Sequence, residues 1–260
     1  MINMTQLEQI ALSAGSGNTQ SLIEVRHLYK SFGKNRVLID FNMDLIKGER
    51  LVILGRSGCG KSVLIKCIIG LLRPDQGSIR VFGDDISRLN EENLDRMRMR
   101  VGFLFQSNAL YDSMTVRQNL EFPLRRHGTK SSDEQVGQLV LSTLRDVGLE
   151  EAIDMMPSEL SGGMRKRIAL ARTLILRPRI ILYDEPTAGL DPVTGKEIIE
   201  LMIKVHQKYE SASIIISHDM NCVKMASDRV LILLEGKCYA QGRFESLQAE
   251  TDVKVRQFFE

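Results

Sequence analysis

Gly55-Arg56-Ser57-Gly58-Cys59-Gly60-Lys61-Ser62 is the stretch on which the fold turns. An apolar run, Leu51-Val52-Ile53-Leu54, precedes it, and Val63-Leu64-Ile65-Lys66-Cys67-Ile68-Ile69 follows, apolar nearly all round. The first reads as a buried strand, the second as a helix inside an α/β core. Strand, glycine loop and helix start are the setting that a G-x-x-x-x-G-K-[ST] string needs to act as a phosphate loop. Glycines let the backbone wrap closely around phosphate. Successive N–H groups form an anion-binding nest, and the helix N-terminus adds about half a positive charge. Lys61 is expected to reach the terminal phosphates, and Ser62 to place its hydroxyl on Mg²⁺. Residues 55–63 are thus expected to bind a nucleoside triphosphate, with Cys59 a small residue that fits the loop.

Composition narrows the class. With 260 residues, 43% of them apolar, the chain can bury a large core. Lys and Arg number 35 against 33 Asp and Glu, a formal charge of +2 that is too balanced for nucleic-acid binding through bulk charge. Cys59, Cys67, Cys222 and Cys238 form no C-x-x-C pair and have no partnered histidines. That argues against a zinc site or a disulfide framework, and for a reducing cytoplasm. No apolar run approaches the ~18 residues of a membrane span, and the N-terminus resembles neither a signal nor a transit peptide. A soluble protein is expected.

Residues 1–21, rich in Ser, Gly, Asn, Thr and Gln, read as a disordered extension. Residues 22–28, 37–46 and 78–82 then carry strand patterns, bounded by turns at Lys47-Gly48 and Asp75-Gln76-Gly77. They predict a small antiparallel layer beside the phosphate-loop core, with a further short strand at 101–105. Thr115-Val116-Arg117-Gln118 and Ser132-Asp133-Glu134-Gln135 fit the capping box that opens a helix. A basic helix is expected after Ser161, running to Leu176 and stopped at Arg177-Pro178. Buried-strand runs at 180–183, 214–216 and 230–234 alternate with helices, the rhythm of a mainly parallel sheet with helices on its faces.

Ile180-Ile181-Leu182-Tyr183-Asp184-Glu185 is an apolar strand ending in two carboxylates. Beside the loop's own strand, Asp184 falls at the C-terminal edge of the sheet, where ligands bind, and suits Mg²⁺. Glu185 suits orienting an attacking water or accepting its proton. Leu160-Ser161-Gly162-Gly163-Met164 opens the basic helix and repeats the physics of the phosphate loop: free N–H groups, a hydroxyl and a positive dipole end. Taken alone, it reads equally well as a plain Ser N-cap with flexible glycines.

The glycine loop, the Ser-Gly-Gly helix start, the acidic strand end, Asp191 and His218 together resemble the ATP-binding-cassette (ABC) ATPases, over about residues 22–245. The resemblance implies an α/β P-loop NTPase with a mainly parallel core sheet, a small antiparallel β layer and an inserted helical subdomain. One domain would span 22–260: core at 22–105 and 165–245, helical subdomain at 106–164, helical tail at 246–260. It implies ATP and Mg²⁺ as cofactors, and hydrolysis coupled to transport. It also implies a homodimer in which Ser161, Gly162 and Gly163 of one copy complete the ATP site of the other, so that catalysis waits on dimer closure. Gln106, after Phe103-Leu104-Phe105, matches the loop glutamine that touches Mg²⁺ and senses a membrane subunit. His218 matches the histidine on the γ-phosphate, and Phe32, ahead of Tyr29, the aromatic that stacks on adenine. Asp191, in Ala188-Gly189-Leu190-Asp191-Pro192, matches the dimer seam and also reads as an N-cap before a proline. Glu185, His218 and Gln106 form the implied catalytic set; Ser62, Gln106 and Asp184 form the implied metal set.

Two departures point to a subfamily. Met164 stands where most members carry Gln, and Val63 where a second Ser or Thr is common. With Met156-Pro157-Ser158-Glu159 before the Ser-Gly-Gly turn and the ending at 252–259, the chain is similar to the ATPases of Mla/Mce-type lipid transporters. That resemblance implies phospholipid movement between inner and outer membranes. The implied partners are a multi-span permease, an MCE-domain lipid-binding protein and a STAS-domain subunit, with the chain held on the cytoplasmic face of the inner membrane. The alternative is the ATPase of an amino-acid or other polar-solute importer. A soluble ABC ATPase acting on DNA or ribosomes fits less well, since the long coiled-coil or zinc insertions of such proteins are missing.

Overall fold

Alternation of apolar and polar residues builds the N-terminal layer. In the computed structural model, which describes residues 21–126 and 132–260, Phe41, Met43 and Leu45 are buried while their neighbours are not. This period of two puts one face of a strand on the core. The expected extension over 1–20 lies outside the described residues, and Ser21 already belongs to the first strand. The first half runs β1 (Ser21–Phe32), β2 (Asn35–Ile46), β3 (Arg50–Leu54), α1 (Lys61–Ile68), β4 (Gln76–Val81), β5 (Asp84–Asp85), α2 (Glu91–Met99), β6 (Val101–Leu104), α3 (Val116–Arg126) and α4 (Asp133–Asp146). The second half runs α5 (Gly162–Leu174), β7 (Ile180–Asp184), α6 (Pro192–Tyr209), β8 (Ala212–Ile216), α7 (Met220–Ala226), β9 (Arg229–Leu234), β10 (Lys237–Gly242), α8 (Phe244–Gln248) and α9 (Val253–Arg256).

Two sheets result. The antiparallel one has the order β2-β1-β4-β5, and the other has the order β10-β9-β3-β8-β7-β6, so that β8 lies between the loop's strand β3 and the acidic strand β7, which were expected side by side. In the second sheet β3, β6, β7, β8 and β9 are mutually parallel, and β10 adds an antiparallel edge. Its central strands are apolar on both faces, as a parallel sheet covered on both sides requires. Leu51, Ile53, Leu182 and Ile214 face a core shared with α1 and the antiparallel sheet. Val52, Leu54, Ile181 and Ile215 face a core shared with α3 through α7.

Helix boundaries follow their caps. Ser132 Oγ accepts from the Gln135 amide at 3.3 Å while Ser132 N donates to Gln135 Oε1 at 3.0 Å, and Thr115 and Gln118 make the same reciprocal pair. Helix α5 stops at Leu174, short of the expected Leu176, because the chain turns there through Arg177, whose φ is +50°. Strand β10 was not expected. It forms because Glu235 and Gly236, with φ of +52° and +76°, make the left-handed two-residue turn that suits a hairpin. Among the described residues no helix is long and apolar enough to cross a membrane.

The β1–β4 seam contains one position with no room for a side chain. Gly77 has φ +93°, and a Cβ there would lie 2.2 Å from the His27 carbonyl oxygen. Gly77→Ala should therefore cost about 2–3 kcal/mol of stability through strain and clash together. A thermal midpoint equal to the wild type would show that this seam is not packed as described.

Candidate functional site

The phosphate loop links β3 to α1, and its conformation explains its glycines. Gly58 and Gly60 have φ of +76° and +109°, and a Cβ on Gly60 would lie 2.8 Å from Val37 Cγ1. Gly60 occupies the N-cap of α1 and offers no side-chain bond, which leaves the first helical N–H groups for a ligand. Lys61 is only 8% exposed, and its ammonium folds across the loop to donate to the carbonyls of Gly55 (2.7 Å) and Arg56 (3.0 Å).

A cavity of about 600 Å³ lies over this loop. Gly55, Arg56, Ser57, Gly58 and Gly60, with Lys61, Ser62 and Val63, form its floor. Phe32 and Val37 close one side, and Phe32 is 48% exposed, with the Lys30 ammonium 5.3 Å from its ring centroid. Gln106, Asp184, Glu185 and His218 enter from the C-terminal ends of β6, β7 and β8. These side chains come from five separate parts of the chain, and the sheet edge gathers them. Tyr29 pairs with Gln76 in the antiparallel sheet and is not among the lining residues. Cys59 corrects the expectation for the loop. It does not line the cavity; its side chain packs against the core below, and burial pushes its thiol pKa up. Its amide donates within the loop, to the Arg56 carbonyl at 3.2 Å.

The acidic strand end has specific geometry. Asp184 is half-buried, and burial, with the Glu185 carboxylate beside it, raises its carboxyl above the ordinary range. Lys61, Lys66 and a hydrogen bond from Ser62 pull it partly back. Glu185 has φ +49°, a backbone state that non-glycine residues adopt only when their surroundings impose it. Its amide donates to the Ile216 carbonyl at 3.0 Å, which ties the turn to β8. Its carboxylate accepts from His218 Nδ1 at 2.8 Å, so the two side chains face each other across the cavity. Thr187 Oγ1 donates to Asp219 at 3.0 Å, and Asp219 caps α7, which braces the His218 loop.

A hard cation suits this corner. Ser62, Gln106 and Asp184 offer a hydroxyl, an amide oxygen and a carboxylate, and the half-buried Asp184 sits next to a second carboxylate. Among the described residues no cluster of three His, Cys, Asp or Glu could hold a metal without help. Sparse oxygen ligands of this kind match Mg²⁺, which takes few protein ligands and completes its shell with phosphate and water.

Ser161, Gly162, Gly163 and Asp191 lie elsewhere. They share a separate cavity of about 360 Å³ with Gly189 and Leu190. Ser161 Oγ caps α5 by accepting from the Met164 amide at 3.2 Å. Asp191 caps α6 by accepting from Val193 and Thr194, which holds its carboxyl below the ordinary range. Gly163 needs its hydrogen, because a Cβ would meet Thr194 Cγ2 at 2.7 Å. A single chain thus does not bring this turn to Lys61.

A family model described as ABC transporter matches residues 38–188. The intermembrane phospholipid transport system ATP-binding protein MlaF of Haemophilus influenzae is 40% identical over 239 residues, covering 92% of this chain and 90% of that protein. The probable ribonucleotide transport ATP-binding protein mkl of Mycobacterium leprae is 41% identical over 236 residues, covering 91% of this chain and 68% of that one. Among solved structures, the dimeric post-hydrolysis state of the ATP-binding cassette MJ0796 bound to ADP and Pi matches with a TM-score of 0.77. It is 29% identical, over 85% of this chain and 98% of that chain. With its phosphate loop and acidic strand end meeting over one cavity, the chain belongs to the ABC transporter family as an ATPase.

Proposed function

We propose that this chain is the ATP-hydrolysing subunit of a membrane transporter that moves phospholipid between inner and outer membranes. The observation that carries the hydrolytic part is the meeting of Lys61, Ser62, Asp184, Glu185 and His218 at one cavity. The cargo rests on the similarity to MlaF together with Met164 and the preceding Met-Pro-Ser-Glu stretch.

The roles follow from chemistry. N–H groups of the loop and the Lys61 ammonium bind and neutralise the triphosphate, and Phe32 stacks on adenine. Glu185, fixed by His218, orients the attacking water and accepts its proton. His218 uses its other ring nitrogen toward the γ-phosphate. Ser62, Gln106 and Asp184 would hold Mg²⁺, which supplies charge neutralisation to the phosphate oxygens.

Ser161 acts in trans. A turn that caps its own helix in a separate cavity can serve ATP only from a second copy, and the MJ0796 cassette is dimeric. In the head-to-tail dimer each site takes Lys61 from one copy and Ser161 from the other. Mixing a Lys61→Ala chain with a Ser161→Arg chain should leave mixed dimers with one intact site and restore part of the ATPase activity that either variant lacks alone. Absence of any restoration would overturn the shared site.

The remaining partners are a multi-span permease, an MCE-domain lipid-binding protein and a STAS-domain subunit, which hold the chain at the cytoplasmic face of the inner membrane. Affinity purification of the full chain from membranes should bring down the permease and an MCE-domain protein. Recovery of a soluble solute-binding protein in their place would reassign the cargo to a polar solute.

A further inference from the structure

Lys166 lies on the second turn of α5 and is 2% exposed. Lysine seldom goes so deep, because its ammonium gives up hydration that only a specific partner can offset. Here Nζ donates to the backbone carbonyl of Gln106 at 3.0 Å. Burial pulls the Lys166 pKa below the ordinary lysine value, and the Asp184 carboxylate offsets part of that pull.

The accepting loop needs to be held. Just beyond Gln106, Asn108 and Ala109 have φ of +63° and +51°, two successive left-handed residues without a glycine. Such a backbone persists only where its surroundings fix it. At the far end the buried Asn119 does so, accepting from the Tyr111 amide at 2.9 Å and donating to the carbonyls of Tyr111 and Met114. At the near end, beside the nucleotide cavity, Lys166 is the counterpart.

We propose that Lys166 is a positioning residue: its buried ammonium fastens the Gln106 backbone to α5, so that the Gln106 amide keeps its place in the nucleotide cavity and moves as one body with Ser161. This rests on the placement of Gln106 in the ATP site proposed above. Ser161 and Lys166 share one helix, so a shift of that helix when a second copy docks on Ser161 carries Gln106 with it.

The test uses the full chain with MgATP. Lys166→Met keeps the apolar stem and removes the donor; Lys166→Arg keeps a donor; Lys166→Leu, equally without a donor, replaces the methionine variant if that one aggregates. Lys166→Met should lower kcat roughly 10- to 100-fold, the range for ångström-scale misplacement of a site group. KM for ATP should barely move, and the thermal midpoint should fall only slightly, because the recovered desolvation cost of the ammonium offsets part of the loss of a donor to the Gln106 carbonyl. Amide hydrogen exchange over residues 105–110 should rise, and Lys166→Arg should restore both exchange and kcat. Adding Gln106→Ala to Lys166→Met should cost little more, since the two changes remove one effect. Unchanged exchange over 105–110, or rate losses that multiply in the double variant, would overturn the proposal. If Gln106→Ala alone hydrolyses ATP normally, the assignment of Gln106 to the site falls, and the exchange measurement still decides whether Lys166 holds the loop.

Discussion

Glu185→Gln should cut steady-state ATP turnover by roughly 10²–10⁴-fold, the share of a positioned base, and leave ATP affinity close to the wild type. The change is small in shape. Glutamine keeps an oxygen that can accept from His218 Nδ1, the partner that holds Glu185 at 2.8 Å, so the turn at φ +49° and its bond to Ile216 are retained. What is lost is the ability to take a proton from water. That places the effect on the barrier, at about 2.7–5.5 kcal/mol by transition-state arithmetic, and not on binding, which the phosphate loop and Lys61 supply. With chemistry blocked and binding intact, the ATP-bound dimer should accumulate and be visible as a dimer peak in size-exclusion chromatography with MgATP. Turnover at the wild-type rate would remove Glu185 from the reaction.

The parts of this site that could be read in the sequence are those that are contiguous. Residues 51–69 carry strand, loop and helix in one string, and 180–185 carry strand and carboxylates in another, so local pattern and site chemistry coincide. The pairing of Glu185 with His218 joins residues 33 apart, and only the neighbouring positions of β7 and β8 in the sheet make it physical. Lys166 shows the limit more clearly. In Arg165-Lys166-Arg167 the three residues look alike, yet the rotation of α5 exposes Arg165, leaves Arg167 partly exposed and buries Lys166 against the Gln106 loop. The inward turn of the Cys59 thiol toward the core was equally hidden, since a phosphate-loop string does not fix the direction of that side chain. Strand β10 escaped notice because its less exposed positions are the small Cys238, Ala240 and Gly242, without the β-branched residues that mark a strand. The helical tail expected at 246–260 also reaches the site, which the sequence did not indicate: Gln257 accepts from Arg56 of the phosphate loop at 2.8 Å, and Phe259 packs on Phe244 with ring centroids 5.5 Å apart.

Lys61→Ala should act on binding. The ammonium sits under the loop between the Gly55 and Arg56 carbonyls, nearly out of solvent, so it is pre-placed where the terminal phosphates arrive. A hydrogen bond to a charged group contributes about 1.5–3 kcal/mol. Loss of contacts to two phosphate oxygens should therefore cost about 3–6 kcal/mol, a fall in ATP affinity of roughly 10²–10⁴-fold. The helix dipole of α1 remains, at about 0.3–1 kcal/mol for a nearby negative charge, and is too small to compensate. Fold stability should change little, because the two carbonyls released by the substitution border an open cavity where water can take the place of the ammonium. Titration calorimetry with ATP and a thermal melt on the same sample separate the two effects. Weak binding with an unchanged midpoint is the expected pair; normal affinity would place the phosphate-binding charge elsewhere, and with it the centre of the site.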